Sequence, residues 1–183
     1  MKRVHLLTGN NDKIKVANHT FGAYGIKVLP FELDIPEIQA QSSVEIARYM
    51  VKRAFEMTGK PVIREDHSFF IKELGFPGPF MTYADKTISV DQLIKILDTL
   101  KSRDAYFELG AAYCNAQGVI SEYSYRVPII MSKEARGDSA LRWERLMMFP
   151  GEDKTFAELS DDTRLGVWTK NYEAIAKIIQ AER

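Results

Sequence analysis

The chain contains a single cysteine, Cys114, among 183 residues, so no disulfide can close within it. A lone cysteine in the apolar run Ala111-Ala112-Tyr113-Cys114 reads as a small buried hydrophobe. The missing disulfide framework suits a reducing compartment, and a cytoplasmic protein is expected. Histidine is scarce too. His5, His19 and His67 lie far apart with no partner at metal-ligand spacing, which argues against a zinc site. No apolar run approaches the ~18 residues that a membrane span requires, and the run Met1 to Thr8 is too short for the core of a signal peptide. Net charge is absent as well, because 25 Lys and Arg balance 25 Asp and Glu. Without a long-range field, neither polymeric nucleic acid nor an anionic membrane is an expected partner. Neither a Gly-x-Ser-x-Gly elbow nor a Walker-type loop occurs.

What is present suffices for an ordinary globule. Hydrophobic residues make up 45% and charged residues 27%, enough to build a core without staples, and one domain over residues 1–183 is expected. Arg3 to Thr8 reads as a buried strand closed by Gly9-Asn10-Asn11, and Ile14, Ala17, Phe21 and Tyr24 then recur at helical spacing up to Gly25. Lys27 to Glu32 reads as a second strand. Ser43 opens a helix carrying Ala47, Met50, Val51, Ala54 and Phe55, which stops at Gly59-Lys60-Pro61. Val62-Ile63 and Ser68 to Ile71 read as strand, interrupted by Glu65-Asp66-His67. Gly75 to Pro79 reads as a turn. A helix with Val90, Leu93, Ile94, Leu97 and Leu100 on one stripe follows, then a hairpin of Ala105 to Asn115 and Val119 to Val127. One closing helix carries Trp168, Ile175, Ile178 and Ile179. Strands alternating with helices, plus one long hairpin, predict an α/β fold with a mixed central sheet flanked by helices.

Two clusters could carry chemistry. Thr8-Gly9-Asn10-Asn11-Asp12-Lys13 places hydroxyl, amide and ammonium groups at a helix start, where backbone N–H groups favour anions; a capped helix with a solvated lysine fits the same residues. Asp34, Glu37, Glu65 and Asp66 supply carboxylates from separate segments. They could share a Mg²⁺ that also takes phosphate oxygens, or could be solvated acids at strand ends.

Taken in order, five segments resemble the Ham1 family of nucleotide pyrophosphatases: Thr8 to Lys13, Pro36 to Gln39, Lys60 to Asp66, Phe76-Pro77-Gly78-Pro79-Phe80, and Asp153 to Leu159. The resemblance implies two lobes with a nucleotide cleft between them, a homodimer, and cleavage of a nucleoside triphosphate into monophosphate and pyrophosphate with Mg²⁺ as cofactor. It implies that Thr8, Asn10 and Lys13 hold phosphates and that Glu37 and Asp66 engage the metal. Asp66 is then the group for activating water, with Glu65 and Lys13 beside it. Trp143, Glu144, Arg164 and Lys170 fall at the nucleotide-binding positions. Val16, Met50 and His67-Ser68-Phe69 depart from the family pattern, as do Leu141, Glu144 and Trp168-Thr169-Lys170 around the base. Those departures keep two other outcomes open, a different phosphohydrolase on the same scaffold using His67, or a nucleotide-binding protein without catalysis.

Overall fold

Strand β1 (Lys2–Leu7) runs into a three-residue loop and helix α1 (Asn11–Ala23), after which β2 (Ile26–Phe31) lies parallel to β1. Helix α2 (Ser43–Thr58) follows, capped by the Ser42 hydroxyl and ended by Gly59 at φ 63°, a backbone angle that glycine adopts without strain. It leads to β3 (Val62–Ile71), parallel to β1 on the other side. A computed structural model of the protein describes residues 2–182 and, within that span, every side chain but those of Asp161, Asp162, Arg164 and Leu165.

The remaining elements are β4 (Phe76–Gly78), α3 (Met81–Thr87), α4 (Val90–Leu97), β5 (Asp104–Cys114), β6 (Ile120–Met131), β7 (Met147–Met148), α5 (Asp161–Trp168) and α6 (Lys170–Ala181). The sheet has seven strands in the order β2-β1-β3-β5-β6-β7, with β4 paired to β3. Parallel pairs at β1 and antiparallel pairs at β3–β4 and β6–β7 make it the mixed sheet expected from the sequence. The chain divides into two compact units. One holds residues 1–67, 109–125 and 165–183, and the other holds 68–108 and 126–164.

The first unit is layered because successive strand residues face opposite ways. Leu6 and Ile63 join Val16, Ala17 and Phe21 of α1 and Tyr172, Ile175 and Ile179 of α6 in one apolar layer. Their neighbours Leu7 and Val62 join Ile46, Met50, Val51 and Ala54 of α2 in the other. Helix α2 seats close to β5 at Gly110, where a Cβ would stand 2.4 Å from the backbone nitrogen of Val44. The core of the second unit is aromatic, with Phe107 centred 4.9 Å from Phe69 and 6.1 Å from Phe156, and Trp143 fully buried.

Three elements differ from the sequence reading. Strand β3 runs unbroken through Glu65-Asp66-His67, because the charges there find partners and need no loop. Phe76-Pro77-Gly78 is a short strand rather than a turn, with Pro77 on an outlying strand that tolerates a missing N–H. The closing helix is two helices, α5 and α6, separated at Thr169.

Candidate active site

The loop between β1 and α1 is held by its own polar groups. Thr8 N–H donates to the Phe31 carbonyl at 3.2 Å, and the Thr8 hydroxyl oxygen accepts from Asn10 N–H at 3.1 Å. Asn10 is the helix cap, its Oδ1 accepting from the N–H groups of Asp12 at 2.8 Å and Lys13 at 3.3 Å. Asn10 is therefore committed through its oxygen to shaping the loop, whereas the Thr8 hydroxyl keeps a proton to donate.

Lys13, one turn into α1, reaches the acidic stretch of β3. Its ammonium donates to the Glu65 carbonyl at 2.9 Å, lies 3.1 Å from a Glu65 carboxylate oxygen and stands 3.6 Å from Asp66. Parallel pairing of β1 with β3 puts the start of α1 beside the distal half of β3, beyond the carboxyl end of β1. Ligands of open α/β sheets gather at such strand ends.

The two adjacent acids have different surroundings. Glu65 is 2% exposed and fully engaged. Besides Lys13, its carboxylate accepts from Asn171 Nδ2 at 3.2 Å and from the Tyr172 hydroxyl at 3.5 Å, and it pairs closely with His67 Nε2. Burial alone would raise its carboxyl, but the charges and hydrogen bonds of His67 and Lys13 outweigh that and hold it well below the usual carboxylate range. The same burial, reinforced by the Glu65 charge, pushes the Tyr172 hydroxyl well above its ordinary value. Glu65 is thus a fixed anion and a poor base. Asp66 is partly open to solvent and has Lys13 at the edge of ion-pair range, so it offers carboxylate oxygens to an incoming group.

His67 is held from two sides, by Glu65 and by the indole of Trp168, with ring centroids 5.2 Å apart and planes 26° from parallel. Immediately before Glu65 in β3, and so pointing the opposite way, Arg64 donates to the Leu7 carbonyl at 3.2 Å and pairs with the largely exposed carboxylate of Glu37. Glu37 and Asp66 therefore each carry a cationic partner. Among the described residues no three acidic, histidine or cysteine side chains converge as a ready cation cage.

The positions expected around the nucleotide base behave differently. Trp143 lies in the second unit with no exposed surface, its backbone N–H donating to Asp85 at 2.7 Å and its indole N–H to the Ile88 carbonyl at 3.0 Å. At its expected nucleotide-binding position Trp143 packs as a core residue of the second unit, with no face of the indole open. Glu144 accepts from the Ser139 hydroxyl at 2.7 Å. Lys170 is exposed at the start of α6, 3.9 Å from Glu173. The side chain of Arg164 lies outside the described residues.

Thr8, Asn10, Lys13, Glu65 and Asp66 thus come together in the first unit, while Trp143 and Glu144 belong to the second. Arg64, Asn171 and Tyr172 were not singled out from the sequence. Arg64 had a local signal, a basic residue two places before Asp66 on the same strand face. The other two had none, because their contacts with Glu65 span more than 100 residues of chain.

The family model described as the Ham1 family matches residues 4–181. The chain belongs to the Ham1 family. A relative named dITP/XTP pyrophosphatase from Methanopyrus kandleri is 34% identical over 178 residues, covering 96% of this chain and 95% of its own. A second of that name, from Ignicoccus hospitalis, is 30% identical over 99% of this chain and 98% of its own. The solved structure of a HAM1 protein from Coxiella burnetii superposes with a TM-score of 0.83 at 20% identity, covering all of both chains, which shows the shared Ham1 fold.

Proposed function

We propose that the protein is a nucleoside triphosphate pyrophosphohydrolase, splitting its substrate into a nucleoside monophosphate and pyrophosphate. The observation that carries this reading is Lys13, held at the start of α1 between the locked carboxylate of Glu65 and the accessible one of Asp66. An ammonium at a helix N-terminus receives a polyphosphate, and the neighbouring solvent-accessible carboxylate is what a hydrolytic water needs. The names carried by the Methanopyrus and Ignicoccus relatives support the same reaction class.

In this mechanism Thr8 and Lys13 hold phosphate oxygens, and Asn10 keeps the loop in shape. Asp66 accepts a proton from water as the water oxygen bonds to phosphorus and the anhydride bond between α and β phosphates breaks. Glu65 stays ionised throughout and keeps Lys13 charged and in place. A Mg²⁺ suits the donors available, since it is commonly held by one or two carboxylates and substrate phosphates rather than by a protein cage. Asp66 and Glu37 would hold it, and it would neutralise developing negative charge. Glu144, Arg164 and Lys170 retain, from the Ham1 pattern alone, the assignment of polar groups toward base and sugar. Action in the cytoplasm and as a homodimer completes the reading. Among the described residues no helix is long and apolar enough to cross a membrane, and mass in solution tests the dimer.

Product analysis decides the reaction. A panel of nucleotides with standard, deaminated and modified bases, as mono-, di- and triphosphates, should yield pyrophosphate from at least one triphosphate, only with a divalent cation. Orthophosphate alone, or no release from any triphosphate, would overturn the assignment. The engagement of His67 with both Glu65 and Trp168 leaves it poorly placed for the proton transfer that a different phosphohydrolase would ask of it.

A further inference from the structure

Glu37 and Asp66, the two carboxylates assigned to the cation, are each matched to a basic side chain of the same unit: Glu37 to Arg64 and Asp66 to Lys13. Arg64 and Asp66 stand two apart on β3 and so share a face, ~6.6 Å from each other along the strand. A free divalent cation approaching that face meets a guanidinium already seated on one ligand and an ammonium near the other.

Arg64 is little exposed and leaves one of its donor groups unused. Its Nη1 donates to the Leu7 carbonyl and its Nη2 to Glu37, while its Nε is buried with no hydrogen-bond partner among the described residues. Glu37 is 57% exposed, and ion pairs with so exposed a member are weak. The pair can be broken by a group that offers each partner something better. A cation bound to a polyphosphate does so, because the metal offers Glu37 a divalent charge and the phosphate oxygens offer the guanidinium an anion with several acceptors. A bare cation offers only the first half of that exchange and leaves Arg64 uncompensated.

Resting on the proposed function above, we propose that Arg64 is a positioning residue that occupies Glu37 until the cation–polyphosphate complex arrives, so that the protein takes up its metal with the nucleotide rather than before it. Arg64 then exchanges Glu37 for a phosphate oxygen, and Glu37 exchanges Arg64 for the metal. No covalent bond changes in this step.

The test is binding of Mn²⁺ alone, without nucleotide, to the full chain, followed by electron paramagnetic resonance of the free ion. Wild type should bind weakly. Arg64→Gln, which frees Glu37 and removes a nearby positive charge, should tighten Mn²⁺ binding about tenfold, and Arg64→Lys should stay near wild type. If Arg64 acts by occupying Glu37, the gain should vanish in the double variant Glu37→Gln, Arg64→Gln, whereas loss of a positive charge alone would tighten Mn²⁺ binding with or without Glu37, and that result would overturn the exchange. Glu37→Gln and Asp66→Asn, each combined with Arg64→Gln, separate the two ways of failing. If Arg64→Gln brings no gain while Asp66→Asn lowers affinity, the exchange is wrong and the cation site stands. If neither acid variant alters Mn²⁺ affinity, the cation site itself is misassigned and the inference falls with it.

Discussion

The ammonium of Lys13 lies 3.1 Å from the carboxylate of Glu65 and also donates to the backbone carbonyl of Glu65 at 2.9 Å. One side chain of α1 is thereby fixed to two atoms of one residue in β3, one of them buried. That relationship makes Lys13 both a binding group and a structural counter-ion, and the two roles can be told apart.

Lys13→Met should weaken nucleotide binding, raising KM, and should also destabilise the fold by about 2 kcal/mol, since a buried carboxylate would lose its ammonium partner. Urea unfolding and steady-state kinetics on the same variant check both. A raised KM with unchanged stability would deny Lys13 its structural role.

Asp66→Asn should reduce kcat by about a hundredfold or more while shifting Tm by no more than ~2 °C. The change is nearly isosteric and Asp66 is partly solvated, so little packing is at stake. Turnover at the wild-type rate would remove Asp66 from the reaction.

Acid should unfold the protein partly through Glu65. Its carboxyl stays ionised in the native state far below the ~4.3 at which an unfolded glutamate titrates. Below that pH the unfolded chain binds the extra proton, so the stability this group contributes is complete above about pH 4.3 and is lost as pH falls toward the native value. Urea midpoints measured between pH 7 and pH 3 should fall less steeply in Glu65→Gln than in wild type. Parallel curves would show that other acids govern the acid limb.

Gly110→Ala should cost about 2–3 kcal/mol, because the added methyl would meet the backbone of Ser43 and Val44 rather than a side chain able to turn away. Unfolding free energy of the variant within ~0.5 kcal/mol of wild type would mean that the start of α2 yields at little cost.

How far these features were legible depended on whether their causes were local. The stop at Gly59 and the apolar stripe of α2 are set by residues within a turn or two of each other, and they are plain in the sequence. The middle of β3 did not. Arg64-Glu65-Asp66-His67 has the composition of a solvated loop, and only partners on α1, α6 and the segment after β2 make an extended, half-buried path affordable. The site residues followed the same division. Lys13 and Asp66 lie in segments that carry the Ham1 resemblance, whereas the inequality between Glu65 and Asp66 depends on Asn171 and Tyr172, more than 100 positions away. The interior place of Trp143 is likewise set from a distance, since Asp85 and Ile88, more than 50 positions away, claim its backbone and indole N–H groups.

That claim on Trp143 reaches beyond ligand contact. An indole sealed into the interior with its ring N–H tethered to the Ile88 carbonyl is a poor dial for retuning substrate preference, because a smaller replacement leaves a hole and a stranded acceptor together. A mutational library aimed at new substrates would do well to leave that position constant, since diversity introduced there would be spent on insoluble variants before selectivity could be scored.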